Sequence, residues 1–98
     1  MAIYRNKKLL ELCRELPCQV CGRQNNTICA AHSNQQKDGK GVGIKAHDYR
    51  VAALCHECHF EVDNGNKLSK EEKCELWDAA HRATIGYMFE NGMIGVLK

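Results

Sequence analysis

The sequence has 98 residues, enough for one small domain and too few to bury a large core. Hydrophobic residues make up 44% and charged residues 27% of the chain, a globular composition that excludes intrinsic disorder. The net charge of +2 at pH 7 is too small to indicate a polyanionic partner by itself, and no stretch reaches the roughly 18 apolar residues of a membrane span. We expect a bound metal or an oligomer interface to add the stability that so small a core lacks.

The first part of the chain predicts a helix, a cysteine turn and a strand. Leucines in residues 9–16 repeat at helical spacing, and Pro17 ends that helix. The sequence CQVCG at 18–22 is the CxxCG turn of a zinc knuckle, in which glycine lets the backbone fold back toward the thiolates. Residues 27–32 have the composition of a short strand that ends in a histidine.

Residues 33–47 are polar, contain three lysines, and predict a long exposed loop of the kind that tends to be functional. Their glycines match neither a phosphate loop nor a dinucleotide-binding motif, which excludes those classes of nucleotide site. Residues 49–54 predict a second strand, and 55–63 a short helix that ends near the Asn-Gly-Asn turn at 64–66.

The C-terminal part predicts a longer helix and an apolar tail. The sequence SKEE at 69–72 is a capping box that opens the helix. Its buried stripe is predicted to contain Leu76, Trp77, Ala80 and Thr84. The tail at 93–97 is expected to be an edge strand or an interface. The whole chain, 1–98, is interpreted as one domain with an N-terminal helix (1–16), a zinc-bound core (17–66) and a C-terminal helix with tail (67–98).

Seven cysteines in 98 residues are unusually many. The N-terminal sequence MAIYRNKKLLELCRELPC lacks the uninterrupted apolar run of a signal peptide, so we expect a cytoplasmic protein with reduced thiols, where paired cysteines favour metal over disulfides. The pairs Cys18–Cys21 and Cys55–Cys58 each place two thiolates on one turn, and together they supply the four soft ligands of tetrahedral zinc. A site with four cysteines is closed, so we predict Zn²⁺ as a structural cofactor.

The other thiols and imidazoles have simpler interpretations. The remaining cysteines, Cys13, Cys29 and Cys74, are assigned to packing, and only Cys29 is kept as a spare ligand. Three histidines are expected at the surface: His47, His56 and His81. For His56, which lies inside the second CxxC pair, exchange with a cysteine ligand is the minor alternative.

His59 and Asp63 lie four residues apart in a predicted helix, so their side chains share one face and can hold one divalent ion with water positions left open. For an arbitrary pair at this spacing, packing and solvation would be the simpler interpretation. The predicted zinc site favours metal binding instead, because it holds the end of the first strand, which carries His32, near the helix. We therefore predict that these three side chains converge.

The order of these motifs resembles the HNH or ββα-metal endonucleases, and most closely the YbcO-type nucleases of lambdoid prophages. The residues that carry the resemblance are Ala31-His32, the glycine- and lysine-containing loop at 39–45, Asp48, the stretch from Ala52 to Asp63 and, more weakly, the last helix and Met93-Ile94. It covers about residues 18–96. It implies an α+β fold of the small zinc-stabilised ββα-metal type with flanking helices, phosphodiesterase activity on DNA, and a phage or prophage origin.

Carried over to this chain, the resemblance implies a role for each polar residue. His32 would be the general base that activates water, and His59 with Asp63 would hold a catalytic Mg²⁺ or Mn²⁺. Asp48 falls near the asparagine that orients the base in HNH proteins. Ala31 stands where those proteins often place a further metal ligand.

Four basic residues are candidate DNA contacts through phosphate: Lys37, Lys40, Lys45 and Arg50. A merely solvated loop is the alternative for them. Two classes of function stay open, a metal-dependent endonuclease that hydrolyses DNA phosphodiester bonds, and a non-catalytic zinc module that binds nucleic acid or a protein partner. The endonuclease needs His32, His59 and Asp63 in one cleft, whereas an interaction module needs exposed apolar surface on the Trp77 helix or the tail.

Overall fold

The computed structural model describes residues 3–97, which form a small α+β protein. Their helices and strands are α1 (Lys7–Cys13), β1 (Cys29–His32), a 3₁₀ turn (Gln36–Asp38), β2 (Val51–Leu54), α2 (His56–Asp63) and α3 (Lys70–Glu90). The predicted α+β class is confirmed. None of the helices within 3–97 is long and apolar enough to cross a membrane.

The sheet forms the centre of the molecule. β1 and β2 pair antiparallel, with Cys29 opposite Leu54 and His32 opposite Val51. Helices α1, α2 and α3 all contact β2. Because β2 is covered in this way, its four residues are all buried, and its sequence VAAL is a continuous apolar run without polar alternation.

Backbone groups on the free edge of β2 form hydrogen bonds with residues from other parts of the chain. The Ala53 N–H donates to Thr84 Oγ1 at 3.0 Å, and the Ala53 carbonyl accepts from the Gln19 N–H at 2.9 Å. His81 Nδ1 donates to the Val51 carbonyl at 2.8 Å. A two-stranded sheet is marginal alone, so this cover by α3 and the first cysteine turn lets it stay buried.

Helix α3 begins at the predicted capping box. The Glu72 N–H donates to Ser69 Oγ at 3.1 Å, and the Ser69 N–H donates to Glu72 Oε1 at 2.8 Å. The buried residues of the helix are Trp77, Ala80, Thr84 and Met88. The Trp77 indole N–H donates to the Ala31 carbonyl at 3.0 Å, so this side chain packs on the sheet and is not an exposed interaction surface.

The first helix is shorter than predicted, and the C-terminal tail is not the edge strand that was one of its two predicted forms. Helix α1 ends at Cys13, and the chain continues in turns that bury Leu16 before Pro17 is reached. The 93–97 tail forms no strand, because Gly92 takes φ +68 and the Met93 N–H bonds back to the Met88 carbonyl at 2.8 Å. The apolar side chains of Val96 and Leu97 are exposed.

The 33–47 loop is more tightly folded than an exposed loop. Gly39 has φ +94, and a Cβ at this position would lie 2.7 Å from the His47 ring, so the loop can close over the imidazole only with glycine here. His47 is 8% exposed and stacks on Tyr49 with ring centroids 4.8 Å apart. The expectation of a surface His47 was wrong, because the N-terminal segment covers it and the Tyr4 N–H donates to its Nδ1 at 3.1 Å. Val42, at the tip of the loop, is fully exposed.

Candidate functional site

Two turns bring the four CxxC cysteines together. Cys18 and Cys21 lie on the turn before β1, where Gly22 adopts φ +77 and its N–H donates to the Cys18 carbonyl at 2.9 Å. Cys55 follows β2 directly and is the N-cap of α2, and Cys58 lies in the first turn of that helix. The four sulfur atoms all lie within 4.8 Å of one another, so this cluster could hold a metal ion.

The sulfur spacing fits a tetrahedral thiolate site. Zinc–sulfur bonds of about 2.3 Å in a tetrahedron require sulfur atoms about 3.8 Å apart. The Sγ atoms of Cys21 and Cys55 are 3.7 Å apart. Four soft ligands at this spacing are the donor set that zinc prefers.

The electrostatics of the cluster also favour a cation. Burial alone would raise the pKa of Cys18, but backbone N–H groups, led by that of Cys21, donate to its sulfur and lower the pKa to about 6. Burial and the neighbouring thiols raise the pKa of Cys58 well above its ordinary value. The surroundings thus favour the thiolate form of Cys18 and the protonated form of Cys58. A bound metal would take the place of the protons, since metal ligation deprotonates thiols.

His59 and Asp63 form the pair expected from their helical spacing. His59 Nε2 lies 2.8 Å from Asp63 Oδ2, and its Nδ1 lies 3.1 Å from Cys29 Sγ. The hydrogen bond with Asp63, followed by that with Cys29, raises the pKa of His59 to about 10. Burial would raise the pKa of Asp63, but hydrogen bonds from His59 and from Asn34 Nδ2, at 2.7 Å, hold it below its usual value.

The 2.8 Å between His59 Nε2 and Asp63 Oδ2 is a hydrogen-bond distance. A divalent ion held by both atoms would have to replace the proton between them. Cys29, which was assigned to packing, instead occupies the other nitrogen of His59. Both nitrogens of the imidazole therefore have partners in this structure.

His32 is paired with Asp48. Its Nε2 lies 2.8 Å from Asp48 Oδ1, and the same oxygen accepts from Arg5 Nη1 at 3.1 Å, while Oδ2 accepts from the Asn6 N–H at 2.7 Å. Asp48 is 3% exposed. Burial would raise its pKa, but the hydrogen bonds from His32 and Asn6 and the charge of Arg5 outweigh burial and lower it. An ionised Asp48 makes His32 Nε2 the protonated nitrogen.

The second nitrogen of His32 is free for chemistry. Its Nδ1 makes no hydrogen bond with any residue in 3–97, and it is not a fully buried atom. With the proton fixed on Nε2 by Asp48, Nδ1 carries the lone pair. This is the arrangement of a general base held by an orienting carboxylate.

The two polar pairs lie along β1 without sharing a hydrogen bond among the described residues. Helix α2 runs beside this strand, since His59 contacts Cys29 at its start and Asp63 contacts Asn34 just past its end. Asp63 lines two cavities, and His32 lines neither of them. The two pairs thus have no direct contact through hydrogen bonds within residues 3–97, and the convergence of His32 with His59 and Asp63 stays a prediction.

The four predicted phosphate contacts divide into two groups. Lys37 Nζ is 3.1 Å from Asp78 Oδ2, and Arg50 contacts both Asp38 and the ring nitrogen of His81. Lys40 and Lys45 make no ion pair within the part of the chain that is described. Two of the four cations thus have protein partners already.

Three polar partners of the site were not predicted from the sequence. Arg5 and Asn6 hold Asp48 from more than 40 positions away, and no local pattern marks them. Asn34 holds Asp63, and its place two residues after the strand-end histidine is a signal that could have identified it.

Comparisons with protein-family models, with curated proteins and with solved structures gave no match.

Proposed function

We propose that Cys18, Cys21, Cys55 and Cys58 bind one structural Zn²⁺. Support comes from the 3.7 Å sulfur spacing and from the position of the cluster, where the N-terminal turn meets the junction of β2 and α2. Zinc would cross-link the N-terminal turn to the junction of β2 and α2, held by these four cysteines alone.

Metal analysis of purified protein tests the zinc site. We expect one zinc per chain, and loss of cooperative folding in Cys18→Ser or Cys58→Ser, because the free energy of zinc binding is folding free energy in small domains. Cys74→Ser is the matched control, since Cys74 is half-buried and lies outside the cluster. Folded protein without bound metal would refute the proposal.

We propose further that the chain is an HNH-like, ββα-metal endonuclease that hydrolyses DNA phosphodiester bonds. The observation that carries this proposal is the His32–Asp48 pair, with Nε2 held by a buried carboxylate and Nδ1 free. The order of elements, an antiparallel strand pair followed directly by a helix with a His–Asp pair, also supports it.

Each polar residue has a defined part in the proposed reaction. His32 Nδ1 accepts the proton of the attacking water, and Asp48 keeps the ring oriented and stabilises the imidazolium that results. His59 and Asp63 would hold a divalent ion, Mg²⁺ or Mn²⁺, which supplies charge stabilisation at the scissile phosphate. Lys40 and Lys45, which have no ion-pair partner among residues 3–97, contact the DNA backbone.

Nicking of supercoiled plasmid by zinc-loaded protein tests the enzyme proposal. We expect His32→Ala to lower the rate by about 10² to 10⁴, the usual range for loss of a general base, with fold and zinc retained. His56→Ala is the control, because His56 is exposed on the same helix as His59 and is assigned no role. Equal rates for both variants would contradict the assignment of the base.

A zinc-stabilised module that binds nucleic acid or protein without cutting is the second candidate. The occupied nitrogens of His59 favour it, because Cys29 and Asp63 both hold the imidazole. DNA binding by wild-type protein, with no nicking in Mg²⁺ or Mn²⁺, would decide for this module.

A further inference from the structure

A cavity of about 540 Å³ lies between the end of α2, the start of α3 and the segment after β1. Cavities of this size hold small ligands in many proteins. Asp63, one half of the proposed metal-binding pair, lies in its wall. The cavity therefore adjoins the proposed metal-binding pair.

The wall carries two lysine side chains, against one carboxylate. Lys70 and Lys73 lie three positions apart on α3, on the same side of the helix, and both line the cavity. Neither makes an ion pair with any residue in 3–97. The acidic group of the wall, Asp63, is already bonded to His59 and to Asn34. An anion that enters the cavity would meet two cations, of which Lys73 is close enough to Asp63 for its charge to lower the pKa of that carboxyl.

The rest of the wall is suited to a flat, partly apolar group. Half-buried Cys74 and the small accessible parts of Val62 and Trp77, which are 7% and 3% exposed, contribute apolar surface. Amide side chains, including that of Asn64, contribute polar groups. A ligand with a phosphate at one end and a ring at the other matches this combination. A nucleotide has that chemistry, whereas a simple inorganic anion would use only the lysine side.

We infer that this cavity binds one nucleotide of the DNA strand, with its phosphate on Lys70 and Lys73 and its sugar and base against Val62, Cys74 and Trp77. Assignment of that nucleotide to the strand being cut rests on the proposed nuclease function. The binding of a nucleotide in the cavity does not depend on that function. The strand then passes from Lys70 and Lys73 to Asp63, so α3 adds phosphate contacts to those proposed for Lys40 and Lys45.

Binding of thymidine 3′,5′-bisphosphate to the zinc-loaded chain tests the inference. Trp77 is the one tryptophan of the sequence and lines the cavity, so its fluorescence reports occupancy, and calorimetry gives the affinity independently. We expect Lys70→Ala and Lys73→Ala each to weaken binding by about tenfold, the effect of one lost charge-assisted hydrogen bond. Lys67→Ala is the matched control, because Lys67 is a nearby lysine that lines a different cavity, and its affinity should equal that of the wild type.

The outcomes separate this inference from the nuclease proposal. If the bisphosphate binds and the two lysine variants weaken it, the site stands even where no plasmid is nicked. If plasmid nicking depends on His32 but the bisphosphate does not bind, or binds equally to the Lys70→Ala/Lys73→Ala double variant, the inference is overturned while the nuclease proposal survives. Inorganic phosphate that binds as tightly as the bisphosphate would overturn the assignment of the apolar wall to a nucleoside.

Discussion

Replacement of Asp48 by asparagine removes one negative charge from the centre of the polar cluster around His32. In the wild type the carboxylate accepts from His32 Nε2 and Arg5 Nη1 on one oxygen and from the Asn6 N–H on the other. The amide of asparagine has a single oxygen. Its nitrogen must therefore face either the Asn6 N–H or the pair of His32 and Arg5, and in both orientations a donor is directed at a donor.

The size of the effect follows from these contacts. One charge-assisted hydrogen bond contributes about 1.5–3 kcal/mol, and the bonds that survive become weaker neutral ones. Because Asp48 is only 3% exposed, water cannot replace the lost partner. We expect Asp48→Asn to lower the free energy of unfolding by about 3 kcal/mol, which corresponds to a Tm lower by about 12–24 °C for a domain of this size.

Thermal unfolding of zinc-loaded protein, followed by circular dichroism, measures this loss. Asp78→Asn is the control, because Asp78 also accepts from two side chains, Gln35 and Lys37, but its own side chain is 30% exposed. An exposed pair contributes less than about 1 kcal/mol. A Tm change in Asp48→Asn no larger than that in Asp78→Asn would refute the reasoning, since it would mean that the buried carboxylate does not stabilise the N-terminal segment on the loop.

Two further predictions follow from the same structure. The pKa of Asp48 is lower in the folded than in the unfolded chain, so its contribution to stability is present above the unfolded value of about 3.9 and is lost as the pH falls toward the folded value. Urea unfolding between about pH 6 and pH 3 should therefore show a larger loss for the wild type than for Asp48→Asn, and equal losses would contradict this. Thr84→Val keeps the shape of the side chain but leaves the buried Ala53 N–H without an acceptor, so urea unfolding should show a loss of about 1–3 kcal/mol, and an unchanged midpoint would mean that water reaches this edge of β2.

The features that could be predicted from the sequence are those encoded by neighbours along the chain. The CxxC spacing predicted which four cysteines lie together, because a tight turn allows few other arrangements. The capping box at 69–72 predicted the start of α3 to the residue, and the four-residue spacing of His59 and Asp63 predicted their contact. In each case the interacting groups lie within a few positions of one another.

The features that could not be predicted depend on distant segments. Nothing near Asp48 in the sequence indicates that Arg5 and Asn6 hold it, and nothing near His47 indicates that Tyr4 will cover it. Both contacts need the N-terminal segment to pack on the 45–48 region of the loop. The loop sequence is polar and has no hydrophobic periodicity, so we predicted an exposed loop. The structure instead buries residues 46–48 at its end.

The pairs His32–Asp48 and His59–Asp63 share no hydrogen bond among residues 3–97, and the geometry of β1 explains why. Side chains alternate between the two faces of a strand, so Cys29 and Ala31 share one face and His32 points to the other. Cys29 contacts His59, which places α2 on the first face. His32 must then face the N-terminal segment and Asp48.

The zinc cluster fixes the start of α2 but cannot change this alternation. By the same alternation Ala31, the residue before the proposed base, lies on the α2 face with Cys29. Under the nuclease proposal, a substrate phosphate that contacts both pairs would lie across the end of β1, where the strand stops and both faces can be reached.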